Sequence, residues 1–110
     1  MNNIHPLIPH DFVDSLDYLL EEVKTDFGFK EFNEKSSPQI YQGLSVLYFF
    51  ALGSKITELD KTKSDSRNFD LLYQLNKAGL INPQPKNHTE LKTNFENLFI
   101  KTSEYLRNLK

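Results

Sequence analysis

The stretch Ile40 to Leu52 constrains this chain most. It reads Ile-Tyr-Gln-Gly-Leu-Ser-Val-Leu-Tyr-Phe-Phe-Ala-Leu, apolar nearly all round a helix and free of charge. A surface helix carries a polar face, so a helix of this kind is either central to a fold or shared with a partner. The run covers 13 residues and contains Gln42, whereas a membrane crossing takes about 17–25 residues. A core helix is therefore predicted, with no membrane span. Ser37 suits its N-cap and Pro38 its first turn, and the pattern continues to about Leu59. Ile40, Tyr41, Leu44, Leu47, Tyr48 and Ala51 form one face. Val46, Phe49, Phe50, Leu52 and Ile56 fall elsewhere round the axis. Gly43 and Gly53 each cost about 1 kcal/mol of helix stability relative to Ala, and are expected to let another helix approach closely.

Three further helices are expected from apolar spacing and from start and stop signals. The first runs from about Pro9 to Thr25, with Phe12, Leu16, Leu19, Leu20 and Val23 on one face and Gly28 ending the pattern. A loop from Phe27 to Ser37 follows, and its Phe27, Phe29 and Phe32 are expected to fold back onto the core. After a polar surface loop, Asp60 to Ser66, a helix from Arg67 to Ala78 places Phe69, Leu72 and Leu75 inward. Gly79 suits the left-handed position just past its end, with Leu80 turned back on Leu75. Asn82-Pro83-Gln84-Pro85 is a stiff, extended connection. The last helix opens at Asn87 or Thr89. Asn87 and Glu90 have the spacing of a capping box, and Leu91, Phe95, Leu98, Thr102, Tyr105 or Leu106, and Leu109 follow on one face. Short connections between amphipathic helices predict a single domain over residues 1–110, all-α and built as an antiparallel four-helix bundle. A three-helix core crossed by the first helix is the structural alternative.

A chain of 110 residues is long enough for one unstapled core. There is no cysteine, which removes thiolate zinc sites, cysteine nucleophiles and redox motifs, and a cytoplasmic location is expected. The net charge of −2 lacks the basic excess of a nucleic-acid partner. The N-terminal residues show neither the basic region nor the apolar run of a signal peptide. Abundant Asn, Lys, Phe and Tyr fit coding from an AT-rich bacterial or phage genome.

The candidate chemistry is thin. Asp14, Asp17 and Glu21 follow helical spacing. Asp14/Asp17 with Glu31/Glu34 mimic, on paper, the paired carboxylates that hold magnesium in helical hydrolases, but the second pair falls in a loop. A charged face at a helix N-terminus accounts for the acids on the first helix. His10 and Asp14 stand one turn apart, and two ligands do not make a metal site. No glycine-rich phosphate loop and no serine elbow occur. Neither a cofactor nor catalysis is expected.

Three resemblances bear on function. His88-Thr89-Glu90-Leu91-Lys92-Thr93 resembles the phosphorylated segment of histidine phosphotransfer domains, which are helical bundles of about this size. Its lysine lies one place too far on, and its histidine sits at a helix start. Leu75-Asn76-Lys77-Ala78-Gly79-Leu80-Ile81 resembles the phrase that ends the recognition helix of winged-helix regulators, which implies DNA binding by segment 67–81. No strand pattern for a wing follows it. The immunity proteins of bacteriocin producers are similar in size and fold class, without a shared motif.

The remaining signal is the aromatic surplus, nine Phe and five Tyr. The central helix carries more apolar surface than one bundle face can hide. The reading is therefore a non-enzymatic interaction protein, binding a protein partner or a second copy of itself as a homodimer. Tyr41, Val46, Phe49, Phe50 and Gly53 are its expected contact residues.

Overall fold

The computed structural model describes residues 4–59 and 72–108, with side chains to Lys55 in the first span. Every regular element among them is helical: α1 (His10–Asp14), α2 (Leu16–Asp26), α3 (Ser36–Leu59), α4 (72–77) and α5 (His88–Asn108). The expected loop Asp60–Ser66, with Arg67 and Phe69, lies outside the described residues, as does Leu109.

The predicted first helix is two. Ser15 breaks it, with φ −118° and ψ 26°, and no side-chain hydrogen bond caps either piece there. The two pieces serve different contacts. Phe12 on α1 stacks against Phe95 and meets Tyr48 edge-on. On α2, Leu16, Leu20 and Val23 are buried. Five helical segments thus stand where four were expected.

Two glycines end helices in the same way. At Gly28, φ is +79°. The Phe29 N–H donates to the Lys24 carbonyl and the Gly28 N–H to that of Thr25, both at 3.0 Å. At Gly79, φ is +76°. The Leu80 N–H reaches the Leu75 carbonyl at 3.0 Å and the Gly79 N–H that of Asn76 at 2.9 Å. Both are Schellman closures, in which a left-handed residue turns two N–H groups back onto orphan carbonyls.

The start of α3 lies earlier than expected. Asn33, not Ser37, is its cap. The Asn33 Oδ1 accepts the N–H groups of Lys35 and Ser36, each at 2.9 Å, and its carbonyl accepts the Ser37 N–H at 2.9 Å. Ser36 ties the loop to this cap by donating its hydroxyl to the Glu31 carbonyl at 2.6 Å. Pro38 has no N–H, so it fits near the start, where few ladder bonds are lost. At the start of α5, the Asn87 Oδ1 accepts the Glu90 N–H at 3.0 Å. The Glu90 carboxylate returns to the Asn87 side-chain amide at 3.1 Å, where a full capping box would use the backbone N–H.

Helix α3 packs against both α2 and α5. Its inward face is Ile40, Tyr41, Leu44, Ser45, Tyr48 and Leu52, all buried. Opposite them α5 buries Leu91, Phe95, Leu98, Phe99 and Leu106. The centre is aromatic: Phe95 meets Tyr41, Tyr48 and Phe99 edge-on at 5.0–5.7 Å between ring centroids. That geometry sets ring edges against ring faces and adds to the burial itself. Three assignments along α3 and α4 are corrected. Leu47 and Leu72, expected inward, are exposed, while Leu52, expected elsewhere, is fully buried. On α4, Leu75 faces the core as expected.

Candidate interaction surface

The rotation of α3 decides what it offers outward. With residues 40, 41, 44, 45, 48 and 52 turned in, the opposite face carries Gln39, Gln42, Val46, Leu47, Phe50 and Ser54, all exposed. Three of these are large and apolar: Val46, Leu47 and Phe50 keep 47%, 53% and 72% of their surface in solvent. Their spacing of one, three and four residues puts them on one stripe.

The stripe is extended from α2. Gly43 lies on the same side of α3, and the Phe27 ring fills the place where its side chain would stand. A Cβ built on Gly43 would come within 2.6 Å of the tip of that ring. Gly43 was expected to admit a neighbouring helix, and it admits an aromatic ring. Phe27 itself remains 47% exposed and meets Phe29 edge-on at 6.4 Å. Phe27, Val46, Leu47 and Phe50 thus form a patch of roughly 400 Å², within the range of the largest patches on soluble monomers, which are often functional.

The five expected contact residues divide. Val46 and Phe50 lie on the stripe. Phe49 is half-buried, its ring 5.2 Å from that of Tyr48. Gly53 is buried. Tyr41 is fully buried and its hydroxyl donates to the Leu80 carbonyl, tying α3 to the chain that leaves α4. It is not available to a partner. Leu47 and Phe27 belong to the stripe and were not among the five. A period of three and four residues counted from Val46 would have found Leu47. Phe27 had no such signal, because it reaches the stripe from another helix.

Of the charged candidates, Asp17 and His88 meet between α2 and α5. Asp17 receives Lys92 Nζ at 3.2 Å, with His88 Nε2 3.6 Å away. The His88 ring packs on Phe32 at 4.7 Å between centroids, and Lys24 lies over the other ring partner, 4.8 Å from the Phe32 centroid. Lys24 also pairs with Glu21 at 2.8 Å. Asp17 and Glu21 are exposed, Lys92 and His88 are half-buried and Lys24 is mostly covered; a pair with one exposed partner contributes about 1 kcal/mol at most. The Asp17 pairs tether α2 to the start of α5. His10, Asp14, Glu31 and Glu34 are exposed. Among the described residues no three of His, Asp and Glu come together as a metal site. Leu75 to Ile81 forms the helix end described above, with Leu80 and Ile81 half-buried on the core.

The buried titratable groups face inward. Burial pushes the Tyr41 and Tyr48 hydroxyls well above the ordinary tyrosine range. Both stay protonated at neutral pH and offer no base. The Tyr48 hydroxyl faces Thr102 but forms no well-directed hydrogen bond. Among the described residues no helix is long and apolar enough to cross a membrane. The chain matches no known protein family, no curated protein and no solved structure.

Proposed function

We propose that this chain is a non-enzymatic helical interaction protein that binds a protein partner through the outer face of α3. The observation that supports this is the stripe of Val46, Leu47 and Phe50, flanked by Phe27. A large aromatic side chain left mostly in water on a helix with no charge beside it is the kind of residue that anchors protein interfaces. Recognition would follow helix-on-helix packing, with Phe50 as the anchor. In the same reading the chain acts in the cytoplasm of a bacterial cell, as host or phage accessory of the immunity type. It forms one domain, an antiparallel four-helix bundle once α1 and α2 are counted as one bent arm.

The test is Phe50→Asp. Its side chain is exposed, so circular dichroism and melting temperature are expected to stay near the parent values. Binding of any protein that the parent retains, including itself, is expected to be lost. Retained binding by a folded Phe50→Asp chain would sink this reading.

A further inference from the structure

We infer that the occupant of this face is a second copy of the chain, with the two α3 helices packed antiparallel about a two-fold axis between Val46 and Leu47. This deepens the reading above and rests on it.

The first argument is charge. Between Lys35 and Lys55 the sequence of α3 holds no Asp, Glu, Lys or Arg. The exposed face over that span is therefore neutral from end to end. The exposed face of α1 and α2 differs, because Asp11, Asp14, Asp17, Glu21 and Glu22 all stand exposed there. A partner for α3 must bring a face that neither strands a charge nor repels one. Another α3 satisfies both conditions, since like meets like without a charge on either side.

The second argument is shape. A two-fold interface pairs each residue with a reciprocal one. With the axis between positions 46 and 47, Val46 of one copy meets Leu47 of the other, and Gln39 meets Ser54. Phe50 falls opposite Gly43. The longest projection on the stripe, Phe50, thus lands over the position that has no side chain. There the Phe27 ring lies against the helix and offers an aromatic surface for Phe50 to pack on. Polar residues fall at both ends of the contact and apolar ones at its centre, the arrangement of a core with a rim.

The third argument is area. The patch of roughly 400 Å² is smaller than the ~800 Å² per partner of a standard stable interface. A reversible dimer is expected, not an obligate one.

Sedimentation from about 10 µM to about 500 µM spans the range in which such a contact assembles. The average mass is expected to rise from 12.9 kDa toward twice that value. Leu47→Asp and Leu47→Lys each set like charges near the axis and are expected to stay monomeric. Mixed in equal amounts, they are expected to recover the dimer, because the axis then pairs opposite charges. Tyr18→Asp, at an exposed position on α2, is expected to dimerise like the parent. A parent chain that stays monomeric throughout overturns the inference. So does a dimer that survives both Leu47 variants, or one that Tyr18→Asp abolishes. If the parent is monomeric yet Phe50→Asp still abolishes binding of a different protein, the second copy is wrong and the interaction reading stands.

Discussion

The two sides of α3 are made of similar residues set in opposite surroundings. Inward, Tyr41, Leu44, Tyr48 and Leu52 are closed off by α2 and α5, and every ring meets another ring. Outward, Val46, Leu47 and Phe50 meet water and, at one end, the Phe27 ring. The difference lies in what neighbouring helices supply. A side chain of given hydrophobicity stabilises the monomer only where a second element removes it from solvent. The same side chain facing outward is neutral for folding and available for association. Core and candidate surface therefore have separable energetics, although they share one helix.

The sharpest way to break this comparison is to truncate an aromatic on each side. Phe95→Ala, in the ring cluster facing α3, is expected to cost about 3–5 kcal/mol, a large part of a total stability of about 5–15 kcal/mol. Phe50→Ala is expected to change stability by no more than about 0.5 kcal/mol. Urea unfolding of both variants checks the pair. Comparable losses would mean that Phe50 is covered within the monomer.

Within the buried face, the two tyrosines separate hydrogen bonding from packing. Tyr41→Phe leaves the Leu80 carbonyl without its donor and is expected to cost about 1–1.5 kcal/mol. Tyr48→Phe removes a buried hydroxyl that has no well-directed partner, and is expected to be neutral or stabilising by up to about 1 kcal/mol. Equal effects in thermal melts would show that the two hydroxyls are equally satisfied.

At the edge of the outer face, Gly43→Ala should gain up to about 1 kcal/mol of helix propensity, offset by displacing the Phe27 ring. In a Phe27→Ala background that offset disappears, and the full gain is expected. A double-mutant cycle measures the difference, and additive effects would mean that the ring does not depend on the missing side chain.

The smallest expected effect concerns His5, away from both faces. Burial, and then the Arg107 guanidinium, hold its imidazole below the usual histidine value of 6.5. The Leu7 N–H donates to His5 Nδ1 at 3.0 Å, a bond that requires this nitrogen to be unprotonated. The unfolded chain therefore binds the proton more readily than the folded one. Stability from this group is fully present above pH 6.5 and is lost as pH falls through the lower folded value. Comparison of His5→Gln with the parent between pH 7.5 and pH 5 is expected to show a shallower decline in the variant. Identical slopes would remove His5 from the account.

Much of the fold was legible because it rests on local rules. Gly28 and Gly79 close helices where few other residues tolerate the backbone, and Asn87 caps α5 where its spacing to Glu90 says it should. Leu91, Phe95, Leu98, Thr102 and Leu106 on the inward face of α5 followed from its period, since polar residues on the other side fix its rotation, whereas the buried Phe99 and Ser103 fell outside the expected stripe. The same reasoning faltered on α3 for a physical reason. A helix apolar all round has no polar face to orient it, so Leu47 and Leu52 were set on the wrong sides, and Tyr41 and Gly53 were counted as outward. Val46 and Phe50 were identified because they lay off the chosen face, yet their neighbour Leu47 was lost with the rotation. The break at Ser15 carries no proline or glycine to announce it. Asn33 was hidden by the stronger Ser-Pro signal that follows.

The glycines at 28 and 79 have a further consequence in terms of handedness. A Cβ built on either meets nothing within 4 Å, so neither turn is short of room. What excludes other residues there is chirality, because the positive φ strains an L side chain and suits its mirror image. A chain assembled by chemical synthesis with D-alanine at both positions would keep both helix ends while removing freedom that glycine has in the unfolded chain. These two turns are therefore the points at which this fold would accept an amino acid that ribosomal synthesis does not normally supply.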